Sequence, residues 1–190
     1  TRCHIVARLD VHDEAAHDAD MPVIIDLQPG RSDFLSQAKK YESLLKKPGV
    51  WLALDPEWRL TKDQVPLQQI GSVSASEVNK VSSWLAALVK KEGLPPKALV
   101  LHQFRLSMIQ DRSALQTHPE LDMLVHVDGQ GSQPDKQATW KALHQGARPA
   151  AAIRRWLRSF LYVPYDAVAS TSPMMQAHFA EQFHLQPERC

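Results

Sequence analysis

The chain has 190 residues, 44% of them hydrophobic and 23% charged, and a formal net charge of +1. That length suits one domain with a sizeable core, and the composition is ordinary for a globular protein. The charge balance gives no general pull toward nucleic acid or anionic membrane, and no apolar run approaches the roughly 18 residues needed to span a bilayer.

Thr1 opens the chain without an initiator Met or a signal-peptide pattern, which fits a mature form or a fragment. Cys3 and Cys190 match neither a disulfide framework nor a metal-ligand spacing, and they can pair only if the termini meet. Residues 3–9 read as a short strand. Asp10 to Asp20 carries clustered carboxylates with His12 and His17, and reads as an exposed acidic loop or a weak divalent-cation site. Val23 to Gln28 is the next strand, closed by Pro29-Gly30. Ser32 then reads as the N-cap of a helix whose apolar stripe is Phe34, Leu35, Ala38, Tyr41, Leu44 and Leu45. Pro48-Gly49 ends it.

The run Val50-Trp51-Leu52-Ala53-Leu54 reads as a buried strand that leads straight into Asp55-Pro56-Glu57-Trp58. Strand, helix and strand make a unit of about 30 residues, the βαβ signature of a parallel sheet. If the extended geometry continues through Pro56, Asp55 and Glu57 point the same way, because side chains alternate along a strand. Otherwise Asp55 caps the next segment and Glu57 faces solvent.

A polar connection from Arg59 to Gly71 is long enough to be a functional loop over a strand end. Ser74 and Glu77 fit a capping box, and a helix follows with Val78, Val81, Leu85, Leu88 and Val89 on one face. Gly93 and Pro95-Pro96 stop it. Ala98 to Phe104 is a further strand, followed by a short helix around Leu106 to Asp111 that buries Met108 and Ile109. Leu121 to Asp128 is another strand, and Asp135 to His144 a helix bearing Trp140 and Leu143.

The tail changes character. Residues 150–161 form an amphipathic helix with Arg154, Arg155 and Arg158 opposite the apolar side, a face for solvent or for an anionic surface. Tyr162 to Ser170 reads as a strand, and a last helix starts at Ser172-Pro173. The chain therefore divides into an N-terminal flank (1–20), a β/α repeat core (21–145) and a helical and strand tail (146–190) packed on the same domain.

Strand–helix repetition argues for an α/β fold with a mostly parallel sheet. Five or six strands are too few for a closed eight-stranded barrel, so the expected architecture is an incomplete barrel or an open sheet. Each central strand ends in polar residues: Asp26 and Gln28, then Asp55 and Glu57, then His102 and Gln103, then His126 and Asp128. A parallel sheet brings these ends to one edge, which is where α/β folds bind ligands. Two carboxylates there could act as acid and nucleophile or base on a glycosidic bond. Histidines and aspartates could instead hold a hydrolytic metal, or the edge could bind a polar ligand without turnover. Gly129-Gln130-Gly131 lacks the third glycine and the acidic partner of a dinucleotide fingerprint. No Ser or Cys sits in a nucleophile-elbow context.

Five stretches carry a resemblance. They are Asp26 to Leu35, Leu52 to Arg59, Gln69 to Ser72 with Glu77-Val78-Asn79, Leu101 to Phe104, and Val125 to Gly129. In this order they resemble a group of uncharacterised secreted or cell-surface proteins of actinomycete-type bacteria, which look like β/α barrels related in shape to glycoside hydrolases. The resemblance covers about residues 22–143 and implies a barrel-like fold and an extracellular or cell-surface location. The segment Tyr165 to Pro173, with Phe179 and Leu185 to Arg189, resembles a linking segment of glycerophosphotransferases and two-domain glycosyltransferases.

The expectation is a glycosidase-like protein acting on a cell-envelope or extracellular glycan. Glu57 is the expected acid/base, with Asp55 or Asp128 as its partner carboxylate. Asp26, Gln28, His102, Gln103 and His126 would contact substrate, and Trp58 would stack on a sugar ring. No cofactor or resident metal, no nucleic acid and no membrane span are expected. The rival readings are a non-catalytic glycan-binding or structural module and a metal-dependent hydrolase.

Overall fold

The computed structural model of the chain describes Asp18 and residues 22–127 and 132–144. The strand expected at residues 3–9, the rest of the acidic segment, Asp128 with the glycines after it, both cysteines and the whole tail lie outside the described residues.

Four strands form the central sheet: β1 (Val23–Leu27), β2 (Val50–Leu54), β4 (Lys97–His102) and β6 (Leu121–His126). Their order is β1-β2-β4-β6 and every pairing is parallel. Successive strands of this sheet are thus neighbours in space. Right-handed crossovers in such an order put successive helices on the same side. The packing agrees. Ile25, Leu27, Leu52, Leu54, Leu99, Leu101 and Met123 share one core with Phe34 and Ala38 of α1 (Phe34–Ala38). The same core takes in Leu44 and Leu45 of α2 (Glu42–Leu45) and Val78, Val81, Leu85 and Val89 of α3 (Ala75–Glu92). The chain is an α/β protein with a mostly parallel sheet. Among the described residues the sheet is open and closes no barrel.

Local sequence explains the helix ends. The Ser74 side chain accepts from the Glu77 amide at 3.2 Å and caps α3. At the other end Gly93 takes φ +63°, the left-handed conformation that closes a helix at little cost for glycine, and Leu94 donates back to the Val89 carbonyl at 3.0 Å. The α1 cap is Asp33 rather than Ser32. Its carboxylate accepts from both the amide and the hydroxyl of Ser36, at 2.8 and 2.6 Å, one on each carboxylate oxygen. The single helix expected from Phe34 to Leu45 is instead α1, a 3-10 turn at Lys39–Tyr41, and α2.

A second, two-stranded parallel pairing joins β3 (Val73–Ser74) to β5 (Ile109–Gln110). It takes the place of the expected helix from Leu106 to Asp111, of which only a 3-10 turn at Leu106–Met108 forms. Met108 and Ile109 are buried as expected, but Ile109 is held by strand pairing. The last described helix is α4 (Gln133–His144).

One charged side chain lies inside the helix-covered core. Lys97, at the start of β4, is fully buried. Its ammonium donates to the carbonyls of Lys47 and Val50 at 2.6 and 2.7 Å, and more weakly to Pro48 at 3.4 Å. It stitches the turn after α2 to the sheet, and its burial pulls its pKa down to about 8.

Candidate functional site

The face of the sheet turned away from the helices carries the polar strand ends. Strand alternation puts Ile24, Asp26, Trp51, Ala53, Ala98, Val100, His102, Asp122, Leu124 and His126 on this face. The pairings arrange them in rows across the sheet. Asp26 pairs with Ala53, Ala53 with Val100, and Val100 with Leu124. One row further on, His102 pairs with His126, and the same register carries Asp55 beside His102 and Gln28 beside Asp55. Hydrogen bonds from the Asp55 amide to the Leu27 carbonyl (3.1 Å) and from the Gln103 amide to the His126 carbonyl (2.8 Å) hold that last row together.

The side chains of this edge meet. The Nδ1 atoms of His102 and His126 are 3.3 Å apart, and their rings cross edge to face at 76°. The His102 Nε2 lies 3.6 Å from Oδ2 of Asp26, too long for a hydrogen bond and an ion pair only when the imidazole is protonated. Asp26 and His102 sit on strands that are not neighbours, with β2 between them. The β2 residue between them is Ala53, whose methyl group leaves room for the two longer side chains to approach over it. Trp51 and Leu124 pack against the small apolar patch of Ala53, Ala98 and Val100 that floors this face. His102 is 13% exposed and Asp26 41%, so the chain of groups runs from a half-buried imidazole to an open carboxylate.

Asp55 and Glu57 do not continue the strand. β2 ends at Leu54, and Pro56–Trp58 forms a 3-10 turn capped by the Asp55 side chain, which accepts from the Glu57 amide at 3.1 Å. Proline favours this outcome: its fixed φ suits the first position of a helical turn. The two carboxylates therefore lack the shared direction that an extended Pro56 would have imposed. Asp55 is buried at 5% exposure, whereas Glu57 is half-buried and its carboxylate has no partner among the described residues. Trp58 is also half-buried.

The turn that carries Glu57 is braced from three directions. Gly71 donates to the Glu57 carbonyl at 2.8 Å, and a Cβ at Gly71 would stand 2.6 Å from the carbonyl oxygens of Pro56, Glu57 and Arg59. Leu60 donates to the Gly30 carbonyl at 2.8 Å. The Arg59 guanidinium meets the Glu77 carboxylate at 2.9 Å, and the same oxygen accepts the Phe34 amide at 3.0 Å. Glu77 thus joins the starts of α1 and α3 to the Glu57 turn, instead of reaching back to its own helix cap.

Of the other expected contacts, Gln28 is exposed at the end of β1. Gln103 falls on the helix-covered side by strand alternation, fully buried, with its amide donating to the carbonyls of Arg105 and Leu106. It shapes the loop after β4 and does not join the row of His102 and His126. Asp128 lies outside the described residues. Trp51 and Ala53 were not among the expected site residues. The signal for them is alternation: residues 51, 53 and 55 share a face. The contact between Asp26 and His102 could not be foreseen without the strand register.

Among the described residues no group of three or more His, Cys, Asp or Glu side chains is placed to hold a metal ion. No described helix is long and apolar enough to cross a membrane. Comparison with models of known families, with curated proteins and with solved structures found no match to this chain.

Proposed function

We propose that the C-terminal edge of the sheet is a glycan site and that the chain is a glycosidase-like protein of the cell surface or extracellular space, built on an arc of a β/α barrel. Sequential strand order with helices on one face is what such an arc requires. The observation that carries the reading is the meeting of Asp26, His102 and His126 at the edge that also holds Asp55 and the uncommitted carboxylate of Glu57. Glu57 is the proposed acid/base. Asp55 is the partner carboxylate that also sets the turn, and Asp128 is the alternative partner. Asp26, Gln28, His102 and His126 bind sugar hydroxyls, and Trp58 offers an aromatic face to a pyranose ring. The resemblance of the motif stretches supports the barrel-like fold and the cell-surface or extracellular location in this reading.

The test is hydrolysis of a panel of aryl glycosides and cell-envelope polysaccharide by wild type and Glu57→Gln. Wild-type turnover that disappears in the variant, with an unchanged circular dichroism spectrum, is the expected result. Equal turnover in the two proteins removes Glu57 from the mechanism.

A second reading is a non-catalytic glycan-binding module using the same edge. The capping bond of Asp55 favours it, because a carboxylate committed to its own turn is less available as a nucleophile or base. This reading predicts glycan affinity that survives Glu57→Gln and no turnover at any pH. A metal-dependent hydrolase draws no support from the donor geometry among the described residues.

A further inference from the structure

We infer that the loop tips at Val65, Leu67 and Leu106 are an anchor for the interface of a lipid bilayer, carried at the same edge of the sheet as the proposed glycan site. The inference goes beyond the glycan reading and does not depend on it, so vesicle binding and hydrolysis can fail separately.

The argument starts from local sequence. The Gln68 amide donates to the Val65 carbonyl at 3.2 Å and closes a β-turn over residues 65–68. Pro66 holds the second position of that turn, and Leu67 the third, with φ 68°. A proline followed by a positive φ marks a type II turn, whose third position calls for glycine or asparagine. A leucine there is held in the left-handed region that its Cβ disfavours. Packing does not offset that cost, because Leu67 is 85% exposed. Strain of this kind, uncompensated inside the fold, points to a role for the side chain outside it.

The turn is firmly held. The Arg31 guanidinium donates to the Gln64 carbonyl at 2.7 Å, and the Gln64 side chain accepts the Thr61 amide at 2.8 Å. The Gln69 side-chain amide donates to the Val65 carbonyl. Leu67 is thus presented in advance, without a loop to order at the moment of contact.

Topology adds the second tip. The loop of residues 59–71 follows β2, and Leu106 stands on the loop that follows β4. β2 and β4 are parallel neighbours, so both loops leave the sheet at one edge. Val65 is 44% exposed and Leu106 61%. Of the four large hydrophobic side chains exposed among the described residues, these loops carry three, and the fourth, Ile24, lies on β1.

The form of the patch selects its partner. Three aliphatic side chains offer a few hundred Å² at most, against roughly 800 Å² per partner in a standard protein interface. They protrude from two loop tips, so a rigid partner would meet them only at points. A fluid bilayer interface takes in protruding side chains without a complementary shape. Charge agrees. The exposed charged residues of the loops that directly follow β1, β2 and β4 are Arg31, Lys62, Asp63 and Arg105, three cations to one anion. Cations beside apolar tips suit the phosphate layer that the tips must cross.

The test is co-sedimentation of the 190-residue chain with sucrose-loaded vesicles of phosphatidylcholine, alone or with phosphatidylglycerol, over a lipid titration. Half-maximal binding to phosphatidylcholine is expected at roughly millimolar lipid, from the apolar surface that three such side chains bury. Phosphatidylglycerol tightens it several-fold, and salt removes that increment alone. Leu67→Asn keeps the turn, melts no lower than wild type and weakens binding to both vesicles about 10-fold. Adding Leu106→Ser abolishes sedimentation. Ile24→Thr, which removes exposed apolar surface away from the tips, leaves binding unchanged. If Leu67→Asn does not fold, Leu67→Gly, which also suits the turn, decides. The inference is overturned if wild type sediments with neither vesicle, if Leu67→Asn binds as well as wild type, or if salt abolishes binding altogether. Self-association of wild type in sedimentation velocity, lost in Leu67→Asn and without any vesicle binding, would assign the tips to a second copy of this chain and overturn it as well.

Discussion

Gly71→Ala probes the support of the Glu57 turn directly. The new methyl carbon would be placed 2.6 Å from three carbonyl oxygens, those of Pro56, Glu57 and Arg59. Real contacts of that kind lie well beyond 3 Å, and backbone oxygens cannot rotate out of the way as a side chain can. Gly71 does not occupy the left-handed region, so the cost is steric and not conformational. Overpacking at a site that can adjust costs 1–3 kcal/mol, and three backbone oxygens put this one at the upper end, about 3 kcal/mol. For a chain of this length that corresponds to a fall in Tm of roughly 6–12 °C. Gly49→Ala is the internal control. Its Cβ meets nothing within 4 Å, and the loss of backbone freedom in the unfolded chain should leave stability unchanged or raised by about 0.5 kcal/mol. Thermal and urea unfolding followed by circular dichroism measure both. The reasoning is refuted if Gly71→Ala melts within about 2 °C of wild type, or if the two alanine variants lose equal stability.

Three further outcomes follow from the same packing. Lys97 has a lowered folded-state pKa of about 8, so between pH 8 and its ordinary value the unfolded chain binds more protons than the folded one. The stability of wild type relative to Lys97→Met should therefore rise with pH in that window, by about 2 kcal/mol at pH 9.5, and a flat difference between the urea curves would show that burial does not govern this lysine. Glu77→Gln loses the charge that faces Arg59 and the Phe34 amide, and should cost about 1.5 kcal/mol in urea unfolding. A cost below about 0.3 kcal/mol would mean the pair is solvent-screened. Leu67 is 85% exposed with φ 68°, a conformation that costs a leucine roughly 1–2 kcal/mol. Leu67→Gly should relieve that strain against a smaller entropic loss and stabilise the protein by about 0.5 kcal/mol, whereas a destabilisation of 1 kcal/mol would show that the leucine packs in solution.

The elements legible in the sequence were those with strong local signals. The apolar runs at Val23–Leu27, Val50–Leu54 and Leu121–His126 and the capped stripe of α3 appear where expected. Each is fixed by alternation, by helical period or by its cap, all of which are local. What failed was set by tertiary contacts. Glu77 has the spacing of a capping box, but Arg59 and Phe34 compete successfully for its carboxylate. Val73-Ser74 and Ile109-Gln110 are too short to show any period, and only their mutual pairing makes them strands. The edge itself was legible because strand alternation and a parallel sheet suffice to gather Asp26, Asp55, His102 and His126. Their contacts were not, because the approach of Asp26 to His102 depends on the register that puts Ala53 between them. The Glu57 direction turned on Pro56, where extended chain and helical turn compete within a few residues.

The central claim is that a glycan binds at this edge. The most direct measurement is NMR of the 190-residue chain, with nitrogen-15 in its histidines and tryptophans, titrated with a soluble cell-envelope oligosaccharide. The account predicts saturable shifts of the His102 and His126 imidazoles and of the Trp58 indole. Saturable binding or turnover that leaves those three signals unmoved would contradict it, as would no shift at all at millimolar oligosaccharide.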